Sequence, residues 1–195
     1  MTVNFYRIKP CAAFSLIEIL GVIAIVSLMS ILTLPAILST VQRSQLPQGG
    51  QLLSDSMRIA RSEAITRNSE VEIRFFNIKG AYRAFQIFDF YKDKEEGLPI
   101  TPLKWLPTGI VIADAKISPL LDETYGTSGT TDLAGFLEVA YCSIRFRSNG
   151  SLKKTPGNFP YLTVLSESDL SHPSKANLFI LQLDPVTGRQ TIYRP

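Results

Sequence analysis

The chain has 195 residues, 45% apolar and 19% charged, and its 20 basic against 17 acidic side chains leave a formal net charge of +3. That surplus is too small to mark nucleic acid or acidic substrates as partners. No G-x-G-x-x-G occurs, and no Lys-Ser/Thr follows Gly129, so phosphate-cradling loops are excluded as well.

The first thirteen residues are short and polar, with Arg7 and Lys9 supplying positive charge, and they end in Ala12-Ala13. From Phe14 to Leu34 the chain runs for 21 residues with one charge, Glu18. A bilayer-spanning helix needs about 20 apolar residues. A carboxylate at the centre of such a helix costs about 2.5–3.5 kcal/mol, and less nearer its end. Its retention points to a function. In an ordinary secretion signal the small residues follow the apolar core. Here they precede it, so a cut after Ala13 would leave the apolar helix on the mature protein, and Cys11 has no apolar segment before it to serve as a lipoprotein site. An uncleaved membrane anchor is the alternative. Two basic residues before the run against Arg43 after it favour a cytoplasmic N-terminus, which places the rest of the chain in the periplasm.

Pro35 predicts a kink in this helix. Helix can continue from Ala36 to Gln45, and Pro47 with Gly49-Gly50 predicts a break. A second, amphipathic helix is expected from Gln51, with Leu53, Met57, Ala60 and Ala64 at i, i+4, i+7 and i+11 on one face and Arg58, Arg61 and Arg67 elsewhere. After Asn68 the period becomes two. Val71, Ile73 and Phe75 alternate with Glu70, Glu72 and Arg74 as in a half-buried strand, and Ala81–Tyr91 predicts a second strand. Lys92 to Gly97 reads as a charged loop, Ile110–Ala113 as a short strand, and Ser118–Gly135 as a long mobile loop. Val139–Arg147 is a strand with Cys142, Ile144 and Phe146 on one face, closed by Ser148-Asn149-Gly150. Tyr161–Leu165 is another, and Leu178–Leu183 with Gln190–Tyr193 flanks Asp184-Pro185-Val186-Thr187-Gly188 as a terminal hairpin. The expected fold is α+β, a long N-terminal hydrophobic helix packed on an antiparallel sheet, divided as leader 1–13, transmembrane or assembly helix 14–46 and a periplasmic or extracellular domain 47–195.

Ala13-Phe14-Ser15-Leu16-Ile17-Glu18 resembles the prepilin leader junction of type IV pilins and type II secretion pseudopilins, with Ala13 in place of the commoner Gly. Leu53-Ser54-Asp55, Ala60-Arg61-Ser62-Glu63-Ala64 and Val71-Glu72-Ile73-Arg74-Phe75 resemble the H-type minor pseudopilins and FimT-like minor pilins. Adding Tyr82-Arg83-Ala84-Phe85-Gln86, Leu106-Pro107-Thr108-Gly109-Ile110, Phe146-Arg147-Ser148-Asn149-Gly150-Ser151 and Asp184-Pro185-Val186-Thr187-Gly188-Arg189, the chain is similar to the Verru_Chthon cassette protein D family. The resemblance implies cleavage between Ala13 and Phe14 by a prepilin peptidase, N-methylation of Phe14, and assembly with other pilin or pseudopilin subunits from the inner membrane. It assigns Glu18 to pairing with the amino group of a neighbouring Phe14. Such a pair specifies register more than it adds stability, because each charge offsets the other's desolvation. Many pilins carry a proline where Pro35 stands.

Loss of the leader removes Cys11 and lowers the net charge from +3 to +1. Cys142 then has no disulfide partner, and one histidine with one cysteine makes no metal-ligand set. Ser166, Asp169 and His172 lie close in sequence, but a triad is recognised by geometry. No enzymatic activity and no cofactor are expected. A fibre-displayed binding module such as a DNA-uptake receptor is the second class of function: Arg189, Tyr193 and Arg194 could contact single-stranded nucleic acid through charge and stacking, although outward arginines on a terminal strand are the preferred account of them.

Overall fold

The computed structural model describes residues 15–90, 97–133, 135–154, 159–172 and 177–194, and for 31–43 the backbone alone. The chain divides into two compact units, Met1–Gln42 and Arg43–Pro195. One α-helix, α1 (Leu16–Arg67), is followed by β1 (Val71–Ile78), β2 (Ala81–Asp89), β3 (Leu98–Pro99), β4 (Lys104–Trp105), β5 (Ile110–Ile112), a 3-10 turn at Pro119–Leu121, β6 (Thr127–Leu133), β7 (Phe136–Phe146), β8 (Tyr161–Ser166), β9 (Phe179–Leu183) and β10 (Gln190–Tyr193). The α+β class and the antiparallel sheet agree with the sequence expectation.

The break expected at Pro47 and Gly49-Gly50 is absent, because α1 runs through all three residues. Tertiary packing outweighs their poor helix propensity. A Cβ at Gly50 would overlap Cγ, Cδ1 and Cδ2 of the Phe179 ring, and one at Gly49 would stand 2.9 Å from Cγ2 of Ile110. The glycines let the helix backbone lie directly on the sheet. Leu53, Met57, Ala60 and Ala64 continue this buried stripe, each at most 1% exposed, as their spacing predicts. Buried Ser54 accepts, at its carbonyl and hydroxyl oxygens, hydrogen bonds from Gln190 Nε2, and Ser56 Oγ accepts one from Lys104 Nζ.

The strands lie in the order β10-β9-β8-β5-β2-β1-β7-β6, and every recorded pair is antiparallel. On one side β2 pairs along its length with β1. On the other it meets three short pieces in succession, Phe88 against Pro99, Ala84 against Trp105 and Tyr82 against Ile112. Pro99, Pro102 and Pro107 explain the fragmentation, since a proline cannot donate to the ladder. Val71, Ile73 and Phe75 share the main core with the α1 stripe, Phe85, Ile87, Ile144, Phe146, Leu162, Val164, Leu181 and Leu183.

Adjacent Phe75 and Phe76 are both fully buried. Successive strand residues point to opposite faces, so the sheet is covered on both sides here. Phe76, Ile78, Ala84, Phe88, Phe90 and Val139 form a second cluster, flanked by Leu103, Leu133, Phe136 and Tyr141. Two expectations are corrected as a result. β1 is not half-buried, and Glu72 is 2% exposed. The segment Ser118–Gly135 is not one long loop: Leu120 and Leu121 are buried in the 3-10 turn, and Thr127–Leu133 is strand β6. The charged stretch at 92–96 lies outside the described residues.

Candidate functional sites

Glu18 stands in the first turn of α1, where Ser15 O accepts the backbone N–H groups of Glu18 and Ile19. A carboxylate there is favoured by the helix dipole. Around it Leu16, Ile17, Ile19, Leu20, Val22, Ile23, Ile25 and Val26 are between 48% and 85% exposed. Those positions cover every side of the helix, and a helix apolar all round requires an apolar surrounding or other helices. Among the described residues no helix is long and apolar enough to cross a membrane. Ala13 and Phe14, the expected cleavage and methylation positions, lie outside those residues, as does the side chain of Pro35, whose backbone is helical.

On the sheet face carrying the second cluster, Glu72 accepts from Arg74 Nε at 2.6 Å and from Arg145 Nε and Nη2 at 2.9 and 2.5 Å. Arg145 Nη1 and Lys153 Nζ reach Glu70 at 3.3 and 2.7 Å. The Arg74 guanidinium sits 4.3 Å from the centre of Phe88 and 4.6 Å from that of Tyr141, and Arg145 lies 3.8 Å from Phe90. These contacts explain how five charges are tolerated: each cation has a carboxylate, and both arginines also lie against aromatic faces. Partial burial opposes ionisation of Glu70, but hydrogen bonds from Lys153 and Arg145 outweigh it and hold the carboxyl below its usual range. Alternation in the sequence placed these side chains on one face; the aromatic residues that cover them come from other strands and carried no signal.

Arg189, Tyr193 and Arg194 are exposed but do not converge. Arg189 precedes β10 and Tyr193 ends it, about 13 Å away at a strand's rise, while Arg194 lies 5.9 Å from the centre of Phe179. His172 Nδ1 is 3.0 Å from Ser171 Oγ, and Ser166 Oγ is 2.9 Å from Ser168 Oγ; no contact between Ser166 and His172 is recorded among the described residues. No group of three or more metal-binding side chains occurs among them either.

Cys142 is buried in β7, and its thiol donates to Leu121 O at 2.9 Å. Burial disfavours the thiolate and pushes the pKa up to about 11. Iodoacetamide at pH 8 is therefore expected to leave Cys142 unmodified in the folded chain and to label it fully in denaturant. Peptide mass mapping checks this, and rapid native labelling would show that the thiol is accessible.

No known family and no curated protein matches the chain. Among solved structures it is similar to the type IV minor pilin FimU of Pseudomonas aeruginosa PAO1, with 13% identity over 80% of this chain and 96% of that one and a TM-score of 0.48. It is also similar to the minor pseudopilin EpsH of the Type 2 Secretion System of Vibrio cholerae, with 11% identity over 77% and 98% and a TM-score of 0.48. A second crystal form of FimU gives 14% identity over 77% and 97% and a TM-score of 0.46.

Proposed function

We propose that the chain is a minor pilin- or pseudopilin-like subunit, assembled through its N-terminal helix into a type IV pilus or type II secretion-like fibre. The observation that carries this reading is a helix exposed and apolar on every side, headed by one carboxylate, Glu18, directly after Ala13-Phe14. In this reading a prepilin peptidase cuts after Ala13 on the cytoplasmic side of the inner membrane, and Phe14 is N-methylated. The helix waits in the bilayer with the sheet domain in the periplasm, then moves into the fibre core. There the ammonium on Phe14 of one subunit meets the Glu18 carboxylate of another. A subunit out of register would bury both charges unpaired, which costs several kcal/mol per ion. The role is structural, without catalysis or a cofactor.

Intact mass and N-terminal sequencing of the protein from its native membrane test processing. A chain beginning at methylated Phe14 is expected; one beginning at Met1 would make it an anchored periplasmic domain. Assembly is tested separately. Glu18→Gln is expected to insert in the membrane at least as well as wild type, while its recovery in sheared fibres falls about tenfold, the effect of losing about 1.4 kcal/mol. Wild-type recovery would show that the charge pair is not needed.

A further inference from the structure

The two ends of the sheet are unlike. β6 is one edge and, among the described residues, pairs only with β7. Thr127-Ser128-Gly129-Thr130-Thr131 contains no proline or lysine and no charge, and most of it is exposed. Edge strands are usually protected from further pairing by such residues, by shortness or by a cover. Among the described residues, Thr127–Thr131 has none of those devices, and the one register shift of β6 falls beyond it, between Thr131 and Leu133.

Carboxylates bracket it. Glu123 is held at one end by Ser128 Oγ (3.4 Å), and Asp132 stands at the other, accepting the Glu138 N–H at 2.9 Å. Ser128 and Asp132 are about 13 Å apart at a strand's rise. Lys154 lies near the Glu123 end, but its ammonium is engaged by the Glu123 and Gly126 carbonyls. The opposite edge, β10, is bracketed by arginines. Arg189 precedes Gln190-Thr191-Ile192-Tyr193 and Arg194 follows it, about 16 Å apart. The inner side of β10 is committed to the fold, since Gln190 bonds to Ser54 and Ile192 packs against the core. Its outer edge has no strand partner among the described residues.

We infer that β6 of one copy pairs with β10 of a second copy, extending the sheet from chain to chain through main-chain hydrogen bonds with arginine–carboxylate contacts at both ends. Strand addition at a free edge is an established mode of recognition. Here the two edges differ, so the contact is head-to-tail, and each pairing leaves a free β6 and a free β10 for the next copy. A four-residue ladder is a small, weak interface, and it forms where copies are held at high local concentration, as on a membrane or in a fibre. The pairing concerns the sheet alone and does not require processing at Ala13.

The test is disulfide trapping of the full chain in its membrane. Thr131 and Thr191 both lie on the sheet face away from α1. Two differently tagged variants, Thr131→Cys and Thr191→Cys, each also carrying Cys11→Ser, are co-expressed and oxidised. A mixed dimer is expected, about tenfold above the self-dimer of either variant. Arg189→Glu with Arg194→Glu in the Thr191→Cys partner is expected to cut its yield at least about fivefold, and Glu123→Arg in the other partner to restore part of it. Absence of the mixed dimer, with both variants accumulating at wild-type level, would overturn the pairing. Self-dimers as abundant as the mixed species would overturn it too, as would a yield indifferent to charge reversal.

Discussion

Replacing Glu72 with alanine is expected to destabilise the sheet domain by about 3–5 kcal/mol, the usual cost of removing one partner from a buried ion pair. The Glu72 side chain is 3% exposed and serves two guanidiniums. Arg145 would retain Glu70, at 3.3 Å, and the Phe90 ring. Arg74, with 13% of its side chain exposed, would keep only the Phe88, Phe90 and Tyr141 rings among its recorded partners. A cation–π contact contributes about 0.5–2 kcal/mol, less than a buried cation costs without its carboxylate. Urea unfolding should show a lower midpoint at unchanged slope. A loss below about 1 kcal/mol would mean that water reaches the cluster and that the pairs behave as surface salt bridges do. The companion variant carrying Glu72→Leu, Arg74→Met and Arg145→Met is expected to recover much of the loss, because the apolar replacements remove Glu72 together with both of its guanidinium partners and leave Glu70 paired with Lys153. That recovery would show that the cluster specifies the packing of this face more than it stabilises it.

Gly50→Ala is expected to destabilise by about 1–3 kcal/mol, the cost of overpacking a filled core. The sign is what makes the experiment informative. In an exposed helix interior the same change stabilises by about 1 kcal/mol, since alanine has the higher helix propensity. At Gly50 the new methyl would occupy the position of the Phe179 ring, itself only 3% exposed and wedged against the helix. Gly21, with nothing within 4 Å of its Cβ position, is the control, and Gly21→Ala should cause no loss. Phe179→Ala removes the Cγ, Cδ1 and Cδ2 atoms that the new methyl would meet, so the double variant with Gly50→Ala should be less destabilised than the two single effects combined. Thermal unfolding of the wild type and the four variants decides it. A stabilising Gly50→Ala would mean that the helix does not rest on β9 as closely as described.

The elements legible in the sequence were those whose signal is local. Period-two alternation located β1 and β7, and turn residues located the β9–β10 hairpin to within two residues. The i, i+4, i+7, i+11 stripe named Leu53, Met57, Ala60 and Ala64 as the helix face in the core. Glu18 stood out because a charge in an apolar run is costly wherever the run goes. Misreadings arose where a residue's local preference was overruled by distant neighbours. Gly49-Gly50 reads as a break until Ile110 and Phe179 are brought against it, when the missing side chains become the condition for contact. Glu72 and Arg74 read as a solvated face until Phe88, Phe90 and Tyr141 close over them. The Gly-, Ser- and Thr-rich segment after Ser118 reads as a loop because its own residues bury little, and it becomes strand β6 only because β7 offers a ladder to pair with. Propensity and pattern are properties of a few neighbouring residues and are present in the sequence itself. Close approach, two-sided burial and edge position depend on residues tens of positions apart, and only the folded chain decides them.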